Sequence, residues 1–115
     1  PNVVLEAALA GLRRQGHLVV AAVGNDGPAA PPAYPAAYES VLAVTAVGAD
    51  LRVYRRANRG AHLRLAAPGV DVEAAAPGGY ARYSGTSFAS PYVAALAALA
   101  LPRPDPASVP ADRVR

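Results

Sequence analysis

Apolar positions along the chain change period several times, and each change marks an element. From Val3 to Arg14, the residues Val4, Leu5, Ala8, Leu9 and Leu12 recur at helical spacing. This predicts an amphipathic helix that Gly16 ends. The run from Leu18 to Val23 is apolar throughout, as a strand buried on both faces requires. A Pro- and Ala-rich stretch from Asp26 to Ser40 reads as a long loop, and Val41 to Val47 as a second buried strand. Shorter strands are predicted around Arg52 to Arg55, Leu63 to Ala66, Val72 to Ala75 and Tyr80 to Tyr83. The apolar run Tyr92 to Leu101 predicts a buried final helix with Ser87 at or near its N-terminus. Pro91, about one turn in, removes one backbone bond and is placed to kink the start. Helix, strand, loop, strand in this order predicts an α/β fold, a parallel sheet covered on both faces.

Two segments carry candidate chemistry. The first is Gly85-Thr86-Ser87-Phe88-Ala89-Ser90-Pro91, which delivers a serine to a helix N-terminus. Free backbone N–H groups and the positive end of the helix dipole favour negative charge there. Acyl transfer builds an oxyanion beside the attacked carbon, so Ser87 is a candidate nucleophile. The plainer alternative is a helix cap, the commonest use of Ser and Thr at this place. The second segment is Val19-Val20-Ala21-Ala22-Val23-Gly24-Asn25-Asp26-Gly27, where a buried strand stops at Gly-Asn-Asp-Gly. Ligands of open parallel sheets bind outside the carboxyl ends of strands. An Asn amide at that end is a neutral donor for an oxyanion, or else part of an ordinary Asx-Gly turn.

Further motifs lie between and around these two. Tyr34-Pro35-Ala36 precedes the strand Val41-Leu42-Ala43-Val44-Thr45-Ala46-Val47. Ala57-Asn58-Arg59-Gly60, Leu65-Ala66-Ala67-Pro68-Gly69-Val70 and Gly79-Tyr80 follow in order before the serine. From about Val3 to Leu101 this collinear set resembles the subtilisin-like serine proteases, or subtilases. The resemblance implies a three-layer subtilisin-like fold, incomplete because N-terminal strands and helices are missing. It implies that Ser87 is the nucleophile and that the Asn25 side chain and the Ser87 N–H form the oxyanion hole. It also implies that Ala21, Ala22, Val23 and Gly24 line a wall of the specificity pocket. Ala33 stands where many members carry Gly at the pocket floor, and its methyl is expected to favour smaller P1 side chains. Tyr92 and Ala95 replace a His and a Gly common in the family, away from the triad positions.

The departure that matters most is an absence. Subtilases order their triad Asp, His, Ser along the chain. Neither His17 nor His62 stands in a His-Gly-Thr context, and no aspartate has the Asp-Ser/Thr-Gly setting. No Asp or His is therefore carried over from the family. A serine hydroxyl is a poor nucleophile without a base, so residues 1–101 read as the C-terminal portion of a catalytic domain whose base lies upstream. The upstream part of the same protein is then the first partner expected, and the isolated chain is expected to be partly unfolded or to aggregate. Residues 102–115 read as a Pro-rich linker or tail.

Composition narrows the rest. The chain has 115 residues, of which 53% are hydrophobic, enough for one core. It begins at Pro1 and contains no Met, which fits a fragment. All eleven basic residues are Arg and the net charge is +3, with the densest cluster at Arg55, Arg56 and Arg59. A solvated loop face accounts for that cluster, and no nucleic-acid partner is inferred. Absence of Lys removes Ser-x-x-Lys hydrolases, and absence of Cys removes disulfides and thiol chemistry. No acidic cluster has calcium spacing, so neither metal nor cofactor is expected. The final apolar run is too short to cross a membrane. The family resemblance alone points to a secreted or envelope protein acting on protein or peptide substrates. A pseudo-protease or binding scaffold of the same fold is the main alternative. An α/β-hydrolase elbow fails at Ala89 and lacks a following His, and a dinucleotide fingerprint fails because a Pro-rich loop follows Gly27. An Ala/Pro-rich interaction module explains the composition but not the ordered motifs.

Overall fold

The structure, a computed structural model, describes residues 1–102. Beyond Pro102, the tail expected from the sequence lies outside the described residues. Helix α1, Val3–Arg14, starts where the Asn2 side chain accepts from the Val4 and Leu5 N–H groups. It ends in a Schellman turn: Gly16, at φ +85°, donates to Arg13 O, and His17 N donates to Leu12 O. Strands β1 (Val19–Ala22), β2 (Val41–Val47) and β3 (Leu63–Pro68) form a parallel sheet in the order β1-β2-β3. Strands β4 (Val72–Ala76) and β5 (Gly79–Tyr83) form a separate antiparallel hairpin, and helix α2 spans Thr86–Ala100.

Alternation along β2 sets the layers. Val44 and Ala46 pack with Ala89 and Val93 of α2, joined by Val20 and Leu42. Val41 packs with Leu9 of α1 and Tyr38, while Ala43 packs with Val23 and Ala36. The two helices therefore cover opposite faces, giving the three-layer α/β arrangement expected. The 25–40 connection crosses on the α1 face, where Ala36 and Tyr38 are buried. Tyr38 Oη also donates to Asn2 O, tying this loop to the start of α1.

Two expectations need correction. The strand expected at Arg52 to Arg55 reduces to one bridge, Val47 to Val53. Beyond Val44, where the β1 pairing ends, only a short stretch of β2 remains to pair with it, and Tyr54 N takes the Ala46 carbonyl. The final helix was expected to be buried, yet only Thr86, Ala89 and Val93 of it are. Leu96 and Leu99 are 65% and 77% exposed. The helix is apolar on all sides, as a helix enclosed by protein would be, and the sheet covers one side only.

Candidate active site

The carboxyl ends of β1 and β3 converge on the start of α2. Just past β3, Gly69 donates from its N–H to Val47 O and accepts at its carbonyl from Gly85 N, 2.8 Å away. A Cβ on Gly69 would lie 2.6 Å from the Ala46 Cβ and 2.8 Å from Gly85 O, so only glycine lets the helix start sit this close to the sheet. At its other end, Ala94, Ala97 and Ala98 of α2, with Leu101 just past it, lie beside Gly16 to Leu18 and Val20, around the start of β1. Helix α2 thus runs back along the strands, with its N-terminus at their carboxyl edge. That edge is where open parallel sheets bind ligands.

At this edge Asn25 meets the helix. Its Oδ1 accepts from Thr86 N at 2.9 Å and from Thr86 Oγ1 at 3.1 Å. Thr86 Oγ1 in turn accepts from Gly24 N at 3.2 Å. A backbone N–H can only donate, so the bond from Thr86 N fixes which carboxamide atom is oxygen. Nδ2 is left on the other side, not buried, with no hydrogen-bond partner among the described residues. Gly24 has φ +103°, and a Cβ there would lie 2.7 Å from Asn58 Nδ2. Both facts demand glycine immediately before Asn25.

Ser87 is the second residue of α2 and is exposed. Neither its hydroxyl nor its backbone N–H has a partner among the described residues. That N–H is one of the orphan donors of a helix start. Pro91 cannot donate back to the Ser87 carbonyl, whereas Ser90 Oγ donates to Thr86 O at 3.1 Å. The next residue, Phe88, stacks on Tyr83 of the hairpin with ring centroids 5.0 Å apart. Two free donors, Asn25 Nδ2 and Ser87 N–H, thus belong to residues bonded to, or adjacent to, Thr86. Together with the Ser87 hydroxyl they supply the parts that acyl transfer needs at its nucleophile and oxyanion.

The remaining candidates fall at various distances from this point. Val23 is wholly buried against Ala36 and Ala43, and Ala21 is half-buried over the α1 side of the sheet. What residues 21–24 can offer a ligand is therefore mainly backbone. Ala33 is half-buried, and its carbonyl accepts from Ala37 N. His17 lies beside Leu101, at the far end of the 15-residue helix α2 from Ser87. At a rise of ~1.5 Å per residue, that end is about 20 Å away. His62 packs on Gly60, and its buried Nε2 has no partner among the described residues. A groove of about 540 Å³ lined by Glu6, Ala10, Arg13, Arg14, Glu39 and Ser40 contains neither Ser87 nor Asn25. Among the described residues, no group of three or more His, Asp or Glu is placed to hold a metal ion, and no helix can cross a membrane.

Thr86 and Asn58 were not read as site residues from sequence. Both are almost fully buried polar side chains, and both bond to the loop that carries Asn25. Their signal was available: a polar residue next to each of two candidate motifs, one beside Ser87 and one in Ala57-Asn58-Arg59-Gly60.

A parallel sheet between helices, with a serine-led helix at its carboxyl edge, places this chain among α/β folds of the subtilisin-like type. The prenylagaramide maturation protease PagA superposes with a TM-score of 0.80 at 38% identity, over 87% of this chain and 38% of that one. The subtilase family model matches residues 3–111, and the chain belongs to that family. It is 43% identical over 100 residues to subtilisin Savinase of Lederbergia lenta, covering 86% of this chain and 37% of the relative. It is 46% identical over 96 residues to a thermophilic serine proteinase of Bacillus sp. strain AK1, covering 83% of this chain and 24% of the relative. Subtilisin E of Bacillus subtilis is 42% identical over 90 residues, with 75% and 24% covered. The chain thus spans between a quarter and somewhat over a third of the length of these relatives.

Proposed function

We propose that residues 1–101 are the C-terminal portion of a subtilase catalytic domain, and that they supply the nucleophile of a serine endopeptidase within a longer protein. Ser87 Oγ, deprotonated by a histidine from the upstream part, attacks a peptide carbonyl. Asn25 Nδ2 and Ser87 N–H donate to the oxyanion that forms. The same histidine then protonates the leaving amine, and water hydrolyses the acyl-enzyme. The backbone of Ala21, Ala22, Val23 and Gly24 forms a pocket wall and Ala33 its floor. The upstream part covers the exposed face of α2 and completes the pocket. Membership of the family supports protein or peptide substrates and a secreted or cell-envelope location.

One observation carries this reading: Thr86 holds Asn25 by its oxygen, leaving its nitrogen free at the start of the helix that presents Ser87. The test is hydrolysis of an activated peptide substrate by the longer protein. Ser87→Ala is expected to lower turnover by about 10⁶, the loss characteristic of subtilisin when its serine or histidine is removed. Undiminished turnover would sink the proposal. A second reading, a catalytically inactive scaffold, rests on the Ser87 hydroxyl lacking any base partner among the described residues. An upstream sequence without an Asp-Ser/Thr-Gly segment and a His-Gly-Thr segment would favour it.

A further inference from the structure

Asn25 can serve as an oxyanion donor only if its main chain and side chain are both fixed. Thr86 accounts for the side chain. The main chain is held from the opposite direction by one buried residue, Asn58, which is 1% exposed. Asn58 N donates to Gly24 O at 3.0 Å, and Asp26 N donates to Asn58 Oδ1 at 2.8 Å. These two bonds fall on the two peptide units flanking the Asn25 Cα. Each peptide unit is planar, so holding one atom of each restricts the φ and ψ of Asn25 together. A further bond, from Gly27 N to Arg56 O at 2.9 Å, extends the same clamp one residue past Asp26. Gly24 is what admits it, since a Cβ there would collide with the Asn58 amide.

We propose that Asn58 is a positioning residue: by bonding both peptide units around Asn25 it aims that side chain at the oxyanion, without touching substrate. The inference rests on the endopeptidase reading above for its effect on turnover, but not for the clamp itself. A residue that only stabilises the fold would lower the active fraction equally whether or not Asn25 is present. A residue acting through Asn25 becomes silent once Asn25 is gone.

The experiment is a double-mutant cycle in the longer protein, with rates normalised to titrated active sites. Asn58→Ala is expected to lower kcat about tenfold, a loss on the scale that small misplacements of a reacting group produce, with KM within about twofold. In an Asn25→Ala background, the same substitution is expected to change kcat by less than about twofold. An equal loss in both backgrounds overturns the proposal. If Asn58→Ala does not fold, Asn58→Ser takes its place in the cycle, keeping the backbone bond to Gly24 and leaving Oγ short of Asp26 N. Hydrogen exchange reads the clamp without turnover. The Asp26 N–H is expected to be protected in the parent and to lose protection in the Asn58 variant, and unchanged protection overturns the clamp. Turnover that survives Ser87→Ala removes the endopeptidase reading instead, and the exchange result still decides whether Asn58 holds the loop.

Discussion

The two ends of helix α2 are built on opposite terms. At its start, Thr86 is wholly buried, and its N–H and hydroxyl make all three bonds described above to Gly24 and Asn25. In its last two turns, Leu96 and Leu99 face outward and are largely exposed. At one end the buried polar residue, Thr86, is saturated within these residues; the other end is apolar and open. Short-range geometry can be completed by neighbours on the same piece of chain, because hydrogen bonds need only one correctly placed atom each. Burial cannot, because it needs area, and that area must come from another part of the molecule.

The largest effect expected at the saturated end, short of removing the nucleophile, comes from Asn25→Ala. In the longer protein, kcat is expected to fall by about 10² to 10³, the range found for the equivalent donor in subtilisin. KM should change little, since the oxyanion exists only in the transition state. A rise in KM with kcat intact would mean that Asn25 binds substrate rather than the oxyanion.

The open end makes the next largest prediction. Leu96→Glu in the 115-residue chain is expected to shift stability by no more than about 0.5 kcal/mol and to improve solubility, because Leu96 already faces water. In the longer protein, the same change is expected to cost about 3 kcal/mol or more, because a carboxylate would enter a covered apolar contact. Thermal melts of the two pairs check this. Equal, small effects in both would show that the α2 face stays open in the whole protein. A broad, non-cooperative melt is expected for the short chain itself, with apolar helix face and sheet edges uncovered.

Gly24→Ala returns to the site. At φ +103° an Ala is strained, and its Cβ meets the Asn58 amide at 2.7 Å. A loss of about 2 kcal/mol is expected, together with reduced kcat, since the loop that carries Asn25 must move. Denaturation of the longer protein would measure it. Unchanged stability would mean that Asn58 yields freely, and the clamp is weaker than its distances imply.

Most elements were legible in the sequence because their signals are local. Helix α1 was set by a helical stripe and a Gly stop, and β2 by a run apolar except at Thr45, with the same bounds as observed. Ser87 and Asn25 stood out because a helix start and a strand end are each marked within a few residues. What was not legible depends on pairing across the chain. The strand expected at Arg52 to Arg55 had the composition but almost no free edge to pair with. That one helix face stands uncovered without the upstream elements was legible, but not which one, because an apolar run states what a helix needs, not whether the need is met. Thr86 and Asn58 were visible as letters, but their roles lie in bonds spanning 61 or 62 and 32 residues. No periodicity encodes such bonds.

The smallest expected effect separates the two duties of Thr86. Thr86→Val keeps the volume and the backbone N–H to Asn25 Oδ1, and deletes only the hydroxyl. The lost groups are one donor to Asn25 and one acceptor for Gly24 N, in a site with no room for solvent at Thr86 itself. About 1 to 2 kcal/mol of stability should go, mostly from the stranded Gly24 N–H. The fall in kcat should be smaller than for Asn25→Ala, because the backbone bond still orients the carboxamide. Thr86→Ser restores the hydroxyl and should recover most of both losses. If Val instead matched Asn25→Ala in kcat, the hydroxyl rather than the helix N–H would be what aims Asn25. The saturated end of α2 would then depend on one side-chain atom more than on the helix itself.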